Sequence, residues 1–453
     1  MSKKRLDRVK RRRFLKVTGA GVSAGLLAGC SGGDGGDGGG DGGDGGDGSD
    51  GGDDMSDGSD GGDDMSDGES GTTTGEAGGG DNPITISAIE PLSGVFAMYG
   101  PRHLAGAQHA LQEWNSNGGV LGRQLRIVQA DAGAGAQEAR SAFTRHVEEE
   151  DAVAGIGPGS SEVAIQTSRY AEESEVPMVL HAAGAASVLT EGKDTRYTFR
   201  TALPAVPTVA RAQAQIAEQN DYTNIGVIYE DGSWGREFKA GVEAYFPDDA
   251  NVTSFTAPIP ETDFTSQLRQ FPSDVEMILG SAHPAGVSSM YPQVVDLGLE
   301  PELYTAAITA TEVDYGAVGD AIEGPFASFN APDIYSDRFQ EVATAYYEQN
   351  DAFFDMNQAN GYVAVDLIAR AIEEAGSAEP SAIADGLRSG TFDTLYAQPV
   401  EYTDWGEVKN SVQIYNSFNP GGSLEWYPDS EFGLEEAFRT DPLPAYEPGS
   451  LDL

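Results

Sequence analysis

The chain has 453 residues, 73 acidic against 27 basic side chains, a formal net charge of -46 and one cysteine. This length allows two or three domains of ordinary size. The charge argues against a nucleic-acid-binding protein, because no basic surface is available to neutralise phosphates. A single cysteine excludes an intramolecular disulfide framework.

The first 30 residues predict an export signal, with a basic front, a short apolar segment and a small-residue end. The apolar segment is too short to span a bilayer as a helix. Arg11 and Arg12 open the stretch RRRFLK, which resembles the twin-arginine export pattern. The later LAGC resembles a lipobox, so Cys30 is the predicted lipid anchor, and two acyl chains would be needed for stable attachment.

Residues 31–81 predict a disordered linker. Residues 31–80 hold 15 acidic residues, no basic residue and a large share of glycine, so apolar burial cannot offset the entropy of ordering. A flexible chain of about fifty residues spans roughly 40 Å. A calcium-binding β-roll is the alternative, but residues 31–54 lack the periodic apolar residue that such repeats need.

From residue 81 onward the chain is acidic and poor in lysine, with only Lys193, Lys239 and Lys409. Such a body repels itself at ordinary ionic strength. Molar salt shortens the Debye length to about 3 Å and removes most of that cost. The composition is therefore typical of a protein from an extreme halophile, and a merely acidic protein is the alternative.

The foldable part begins with alternating strands and helices. The stretch ITISAIEPLSG is an apolar run that ends in a Pro-Ser-Gly loop, and GPRHLAGAQHALQEWNSNGG has helical spacing and ends at two glycines. Further strands are RQLRIVQAD, AVAGIG and VPMVLHAAG, with the helices AQEARSAFTRHVEEE and PGSSEVAIQTSRYAEES between them. This alternation predicts right-handed βαβ units and a parallel sheet.

The alternation restarts after a break near Leu203 and Pro204. Helices are predicted at PTVARAQAQIAEQN, GREFKAGVEAYF and 287–297, and strands at NIGVIYEDG, EMILGSA and LYTAAITA. Three helical segments follow, and 392–430 is rich in strand and turn residues. The predicted fold class is α/β, with two doubly wound parallel-sheet lobes joined by a hinge.

The order of these segments resembles the branched-chain amino-acid binding family of ABC transporters, which has the type I periplasmic-binding-protein fold. The likeness covers about 83–420 and is carried by PLSGVFAMYG, GAQHALQEWNSNGGVLGRQLRIVQAD, GIGPGSSEVA, VPMVLHAAGAASVLT and IGVIYEDGSWGREFKAGVEAYF. We accordingly expect a first lobe of 82–202 plus about 330–395, a second lobe of 203–329 plus about 396–430, and a C-terminal tail of 431–453.

Ser160 and Ser161 stand where a strand gives way to a helix. Their hydroxyls and the free N–H groups of the helix suit an anion such as a carboxylate. Simple N-capping is the alternative, and the residues alone favour it. The resemblance reverses that preference, because the family's carboxylate-holding serine falls on Ser161, with Gly159 and Ser160 beside it.

The resemblance also places residues of both lobes around the ligand. For the one tyrosine and the one tryptophan in the set named next, plain packing in the hydrophobic core is the alternative role. The residues are Tyr99, Ala182, Ala183, Gly184, Trp234, His283 and Thr309.

Two departures from the family bear on the ligand. The family's hydroxyl residue falls on Gly184, and its acidic partner for an amino-acid ammonium falls near Ile308 and Thr309, where no acid stands. The nearest acid is Glu312, which a slipped loop could bring in. A branched-chain amino acid is the default ligand, and another amino acid, an amide, a urea-like compound or an aromatic carboxylate stays open.

The stretches that come near to catalytic or cofactor-binding motifs do not have the position or the neighbouring residues that such motifs need. The stretch GVSAG at 21–25 matches G-x-S-x-G but lies in the signal, where no strand–turn–helix elbow can form. Lys193 is followed by aspartate, which does not fit a P-loop. No catalytic residue, metal site or cofactor is expected, since the five histidines show no metal-ligand spacing along the chain: His103, His109, His146, His181 and His283.

We therefore expect a monomeric, lipid-anchored solute-binding protein on the extracellular face of the cell membrane, exported by the twin-arginine route. It would close its cleft over a small ligand, without chemistry, and deliver the ligand to an ABC permease. One alternative is a sensory receptor of the same fold, disfavoured because no signalling domain follows Leu453. Another is a secreted hydrolase.

Overall fold

The computed structural model describes residues 82–133, 135–190, 195–306, 311–324 and 326–453. Outside these residues lie the predicted export signal and linker, together with four residues predicted above to have a role: Arg11, Arg12, Cys30 and Thr309. No helix within the described ranges is long and apolar enough to cross a membrane.

The described residues form alternating strands and helices. The strands are β1 Ile84–Glu90, β2 Leu125–Asp131, β3 Ala152–Ile156, β4 Met178–Leu180, β5 Thr198–Arg200, β6 Asn224–Glu230, β7 Asn251–Ala257, β8 Met277–Ser281, β9 Leu303–Ala306, β10 Phe326–Asn330, β11 Ile414–Pro420 and β12 Phe432–Arg439. The helices are α1 Gly100–Ser116, α2 Ala136–Glu149, α3 Ser161–Ser174, α4 Ser187–Thr190, α5 Val206–Asn220, α6 Ser233–Tyr245, α7 Thr265–Leu268, α8 Pro284–Asp296, α9 Thr311–Val318, α10 Asp337–Asn350, α11 Met356–Ala375 and α12 Pro380–Ser389.

The first lobe is built on a parallel sheet in the order β2-β1-β3-β4-β5. Strand β1 is buried at every position, and α1 and α2 both pack on it. This burial is what a parallel sheet covered on both faces requires. The late helices α11 and α12 pack on β3, so they complete this lobe.

The second lobe is built on a sheet in the order β12-β11-β10-β9-β8-β6-β7. Strands β6 to β10 pair in parallel, whereas β11 and β12 join at one edge in antiparallel fashion. Mixed sheets of this kind are common in doubly wound folds. Strand β12 lies within the segment 431–453, which the sequence suggested as a tail.

The chain passes between the two lobes three times: after β5, after β10 to reach the helices that pack on the first lobe, and before β11. The alternation of elements predicted from the sequence therefore becomes two lobes whose connections run through one hinge region. Because the strands of each sheet are mostly parallel, their carboxyl ends gather at one edge of each lobe, where open α/β sheets bind ligands.

Helices α1 and α11 pack in direct backbone contact through two glycines. A Cβ on Gly106 would lie 1.8 Å from the carbonyl oxygen of Gln358, and one on Gly361 would lie 1.9 Å from that of His103. Helix α11 starts at a capping box, in which the Asp355 side chain accepts from the Asn357 N–H at 2.7 Å. The close approach fixes His103 and the start of α11 beside the strand ends of the first lobe.

Candidate ligand-binding site

The carboxyl ends of β1, β3 and β4 bring three loops of the first lobe together. Gly157 follows β3 with φ 100°, and a Cβ there would lie 2.1 Å from the carbonyl oxygen of Ile89. Only glycine fits this approach. The turn leads directly into Gly159, Ser160 and Ser161.

Ser160 and Ser161 occupy different environments at the start of α3. Ser160 is the N-cap residue, but its side chain makes no capping hydrogen bond and instead donates to Oε2 of Glu162 at 3.3 Å. Ser161 is 7% exposed, and its Oγ accepts from the Ala185 N–H at 3.1 Å. Ser161 therefore joins the helix N-terminus to the loop that follows β4, rather than acting as a plain cap.

Arg200 at the end of β5 holds this loop in place. Its guanidinium donates to the carbonyl oxygens of Ala183 at 2.6 Å and Ala185 at 2.8 Å, and it pairs with the Glu407 carboxylate at 3.0 Å. All of these groups are buried. Burial raises the pKa of Glu407 to about 6, although Arg200 acts in the opposite direction. The loop's conformation thus depends on a desolvated ion pair.

Trp234 of the second lobe packs against Gly184 of the first. A Cβ on Gly184 would lie 2.1 Å from Cζ3 of the indole ring, so a side chain at this position would displace the tryptophan. The indole N–H donates to Oγ of Ser281 at 2.7 Å, and Trp234 is 7% exposed. The space that the family's hydroxyl residue would need at position 184 is therefore occupied by the indole ring of Trp234 from the facing lobe.

Polar contacts also join the two lobes, so the cleft is closed in this structure. The Glu162 carboxylate accepts from the N–H and the hydroxyl of Ser233, at 3.3 and 2.8 Å. The Glu237 carboxylate accepts from the N–H groups of Ala186 and Ser187, the latter at 3.1 Å. Tyr99 and Ala182 line a small cavity of about 10 Å³ at the hinge side, which has room for about one water.

His283 lies at the start of α8 and is 2% exposed. Its Nδ1 accepts from the Gly286 N–H at 3.3 Å, and its Nε2 lies 2.7 Å from the carbonyl oxygen of Glu261. Both ring nitrogens are thus used within the second lobe. Thr309 lies outside the described residues, and Glu312, the acid nearest to it, is exposed in the first turn of α9.

A buried cluster of Glu90, His103 and His181 lies under this edge of the first lobe. Nδ1 of His103 and Nε2 of His181 lie 3.2 and 2.7 Å from the two carboxylate oxygens, and the imidazole rings are 4.4 Å apart. Burial alone would raise the pKa of Glu90, but the two histidines lower it to about 2, and burial lowers the pKa of His103. One carboxylate and two imidazoles form a donor set that divalent metal ions accept. Here both imidazoles contact the carboxylate, and Nδ1 of His181 has no hydrogen-bond partner among the described residues.

Sequence spacing misses this cluster because its members come from two strand ends and a helix. Glu90 ends β1, His103 lies in α1 and His181 follows β4. The one available signal was that Glu90 and His181 both stand near the carboxyl ends of apolar runs predicted for the same parallel sheet, where strand ends meet at one edge.

The cleft is acidic around Tyr99, which is 3% exposed. Its pKa is raised well above the ordinary value, first by burial and then by the charges of Asp314, Glu230 and Asp355, while the charge of Arg102 acts in the opposite direction. Asp314 is buried, and its Oδ1 accepts from the Ser288 hydroxyl at 3.0 Å.

Comparisons with known proteins agree with this architecture. The family described as periplasmic binding protein matches residues 83–419. A Leu/Ile/Val-binding protein of Rhizobium johnstonii is 25% identical over 342 residues, which cover 73% of this chain and 91% of that protein.

Two solved structures show the same fold with different ligands. A branched-chain amino-acid transporter substrate-binding protein of Streptococcus pneumoniae, in complex with isoleucine, has a TM-score of 0.67 and 17% identity and covers 78% of this chain and 100% of its own. A solute-binding protein of R. palustris, in complex with benzoate, has a TM-score of 0.69 and 17% identity and covers 81% and 99%. The resemblance and the fold class predicted from the sequence are confirmed: the chain belongs to the periplasmic binding protein family and has its type I fold.

Proposed function

We propose that this protein is a lipid-anchored, extracytoplasmic solute-binding protein that works as a monomer. It closes its two lobes over a small carboxylate ligand and delivers that ligand to an ABC permease. The default ligand is a branched-chain or other amino acid, with amides and aromatic acids as related candidates. No bond is made or broken in the ligand.

The observation that carries this proposal is the position of Ser161. Its hydroxyl and the free N–H groups at the start of α3 meet the loop of Ala182 to Ala186, and Trp234 covers that loop from the facing lobe. Hydroxyl and helix N-terminal N–H groups are good donors to a carboxylate.

The contacts between the lobes support binding by closure. Glu162 with Ser233, and Glu237 with Ala186 and Ser187, form only when the lobes meet. The three chain crossings near the hinge allow the lobes to move as bodies about a few residues. A ligand that adds contacts to both lobes shifts the population towards the closed form.

Calorimetry of the Ser161→Ala variant in molar salt tests the site. The variant is expected to bind a carboxylate ligand about 10- to 100-fold more weakly, since a hydrogen bond to a charged group contributes about 1.5–3 kcal/mol. Ser174→Ala is the matched control, because its hydroxyl donates to the Tyr170 carbonyl at 2.7 Å at the far end of the same helix. Equal affinities for Ser161→Ala and wild type would place the carboxylate elsewhere.

A further inference from the structure

Glu230 is a buried carboxylate at the carboxyl end of β6, 7% exposed. Its side chain takes part in no hydrogen bond or ion pair with any described residue. Burying a charge without a partner is costly. A carboxylate in this state is either kept protonated or meets a cation that arrives from outside the chain.

A second carboxylate lies next to Glu230 on the opposite lobe. A Cβ on Gly232 would lie 3.4 Å from Oε1 of Glu162 and 3.6 Å from Oε1 of Glu230, so both carboxylates border this glycine. Within the described part of the chain, neither takes part in an ion pair with a basic side chain. The nearby Arg236 is itself paired with Asp231 at 3.7 Å. Two acids from two lobes therefore meet without a positive charge between them.

The same acidity extends to the predicted ligand-binding residues. Tyr99 of the first lobe experiences the negative charges of Asp314 and Glu230 from the second lobe. The negative electrostatic potential of this site attracts a positively charged group. It repels a ligand whose only charged group is a carboxylate.

We propose that Glu230, with Glu162 across the cleft, binds a cationic nitrogen of the ligand. The pair takes the place of the acid that the family resemblance led us to expect near residues 308 and 309. The ligand is then an amino acid, or another small molecule that carries an ammonium group beside its carboxylate, and not a simple aromatic acid. This inference rests on the proposed function, in which Ser161 meets the carboxylate of the same molecule.

The test compares L-leucine with 4-methylpentanoate, which has the same carbon skeleton and carboxylate without the ammonium group. Calorimetry uses the full chain in molar potassium chloride. Wild type is expected to bind leucine at least 10-fold more tightly than 4-methylpentanoate. Glu230→Gln is expected to lose at least 10-fold for leucine and to change little for 4-methylpentanoate.

Asp231→Asn is the matched control, because Asp231 is the adjacent acid, is exposed and already has Arg236 as its partner. Its leucine affinity is expected to equal that of wild type. A thermal unfolding curve of Glu230→Gln is expected to show a transition at or above that of wild type, which separates loss of binding from loss of folding.

Three results would overturn the inference. One is an unchanged leucine affinity in Glu230→Gln. A second is wild-type protein that binds 4-methylpentanoate or benzoate as tightly as leucine, a result that leaves the proposed function standing. The third is leucine binding that vanishes when choline chloride replaces potassium chloride, which would assign the two carboxylates to an inorganic cation. Wild type that binds none of these compounds, and none of a panel of other amino acids and amides, would contradict the proposed function as well.

Discussion

At the scale of single residues, Glu230 makes the stability of the protein depend on pH. Burial, together with the charge of Glu162, raises its pKa from 4.5 to about 8. Below pH 4.5 the carboxyl is protonated in both the folded and the unfolded chain. Between there and about pH 8 only the unfolded chain releases the proton, so this group lowers the folded state's stability as pH rises, by about 1.4 kcal/mol per pH unit.

The Glu230→Gln variant removes this dependence. Without ligand, wild type is expected to lose stability relative to the variant between about pH 5 and pH 8, and the difference should level off above that range. Denaturant unfolding at constant molar salt measures it, with Asp231→Asn as the control that keeps the wild-type profile. If wild type and Glu230→Gln differed in unfolding free energy by the same amount at pH 5 and pH 8, the raised pKa of Glu230 would be refuted.

Gly184 shows what the sequence can and cannot predict about a single site residue. The departure from the family is visible in the sequence, because a glycine stands where a hydroxyl residue is expected. The reason is visible only in the fold, where the ring of Trp234 occupies the space that a Cβ would need. The two residues are fifty positions apart and belong to different lobes, so no local pattern connects them.

At the scale of the elements, Arg200 links β5, the loop after β4 and the segment before β11. Arg200→Met would leave the Glu407 carboxylate buried without its partner, at a cost of about 3–5 kcal/mol in unfolding free energy. The loop would also lose its two guanidinium donors, so ligand affinity is expected to fall with stability. Denaturant unfolding and calorimetry measure the two effects.

Arg196→Met provides the comparison for this prediction. Arg196 forms an exposed pair with Asp385 at 3.1 Å, and exposed pairs contribute little to stability. Its unfolding midpoint and ligand affinity are expected to stay near those of wild type. If Arg200→Met and Arg196→Met behaved alike, the buried pair would not be what holds the loop.

Strands and helices were predictable from the sequence wherever apolar periodicity is strong. Apart from the short elements α4 and β5, which were not predicted, the order of elements from β1 to α6 follows the alternation of short apolar runs with amphipathic segments. Contacts between distant segments were not predictable, because Glu90 with His181 and Arg200 with Glu407 are paired by topology and not by spacing. Strand β12 was missed for the same reason, since its partner β11 supplies the edge on which it forms.

At the scale of the whole molecule, the proposed lipid anchor at Cys30 would determine where the protein works. Cys30→Ser is expected to remove the proposed attachment point and release the protein to the medium, because the lipid on this cysteine is the proposed contact with the membrane. Immunoblots of membrane and medium fractions measure this, with Ser49→Ala in the linker as the control that stays membrane-bound. Cys30→Ser protein that remains on the membrane would contradict lipid anchoring.

We propose that this two-lobed protein binds a small ligand without transforming it. Calorimetry of the full chain in molar potassium chloride, against a panel of amino acids, amides and aromatic acids, tests it most directly when the ligand is recovered afterwards by mass spectrometry. Saturable binding of at least one amino acid with one ligand per chain is expected, with recovery of that ligand unchanged. No binding across the panel, or conversion of any member into a product, would contradict it.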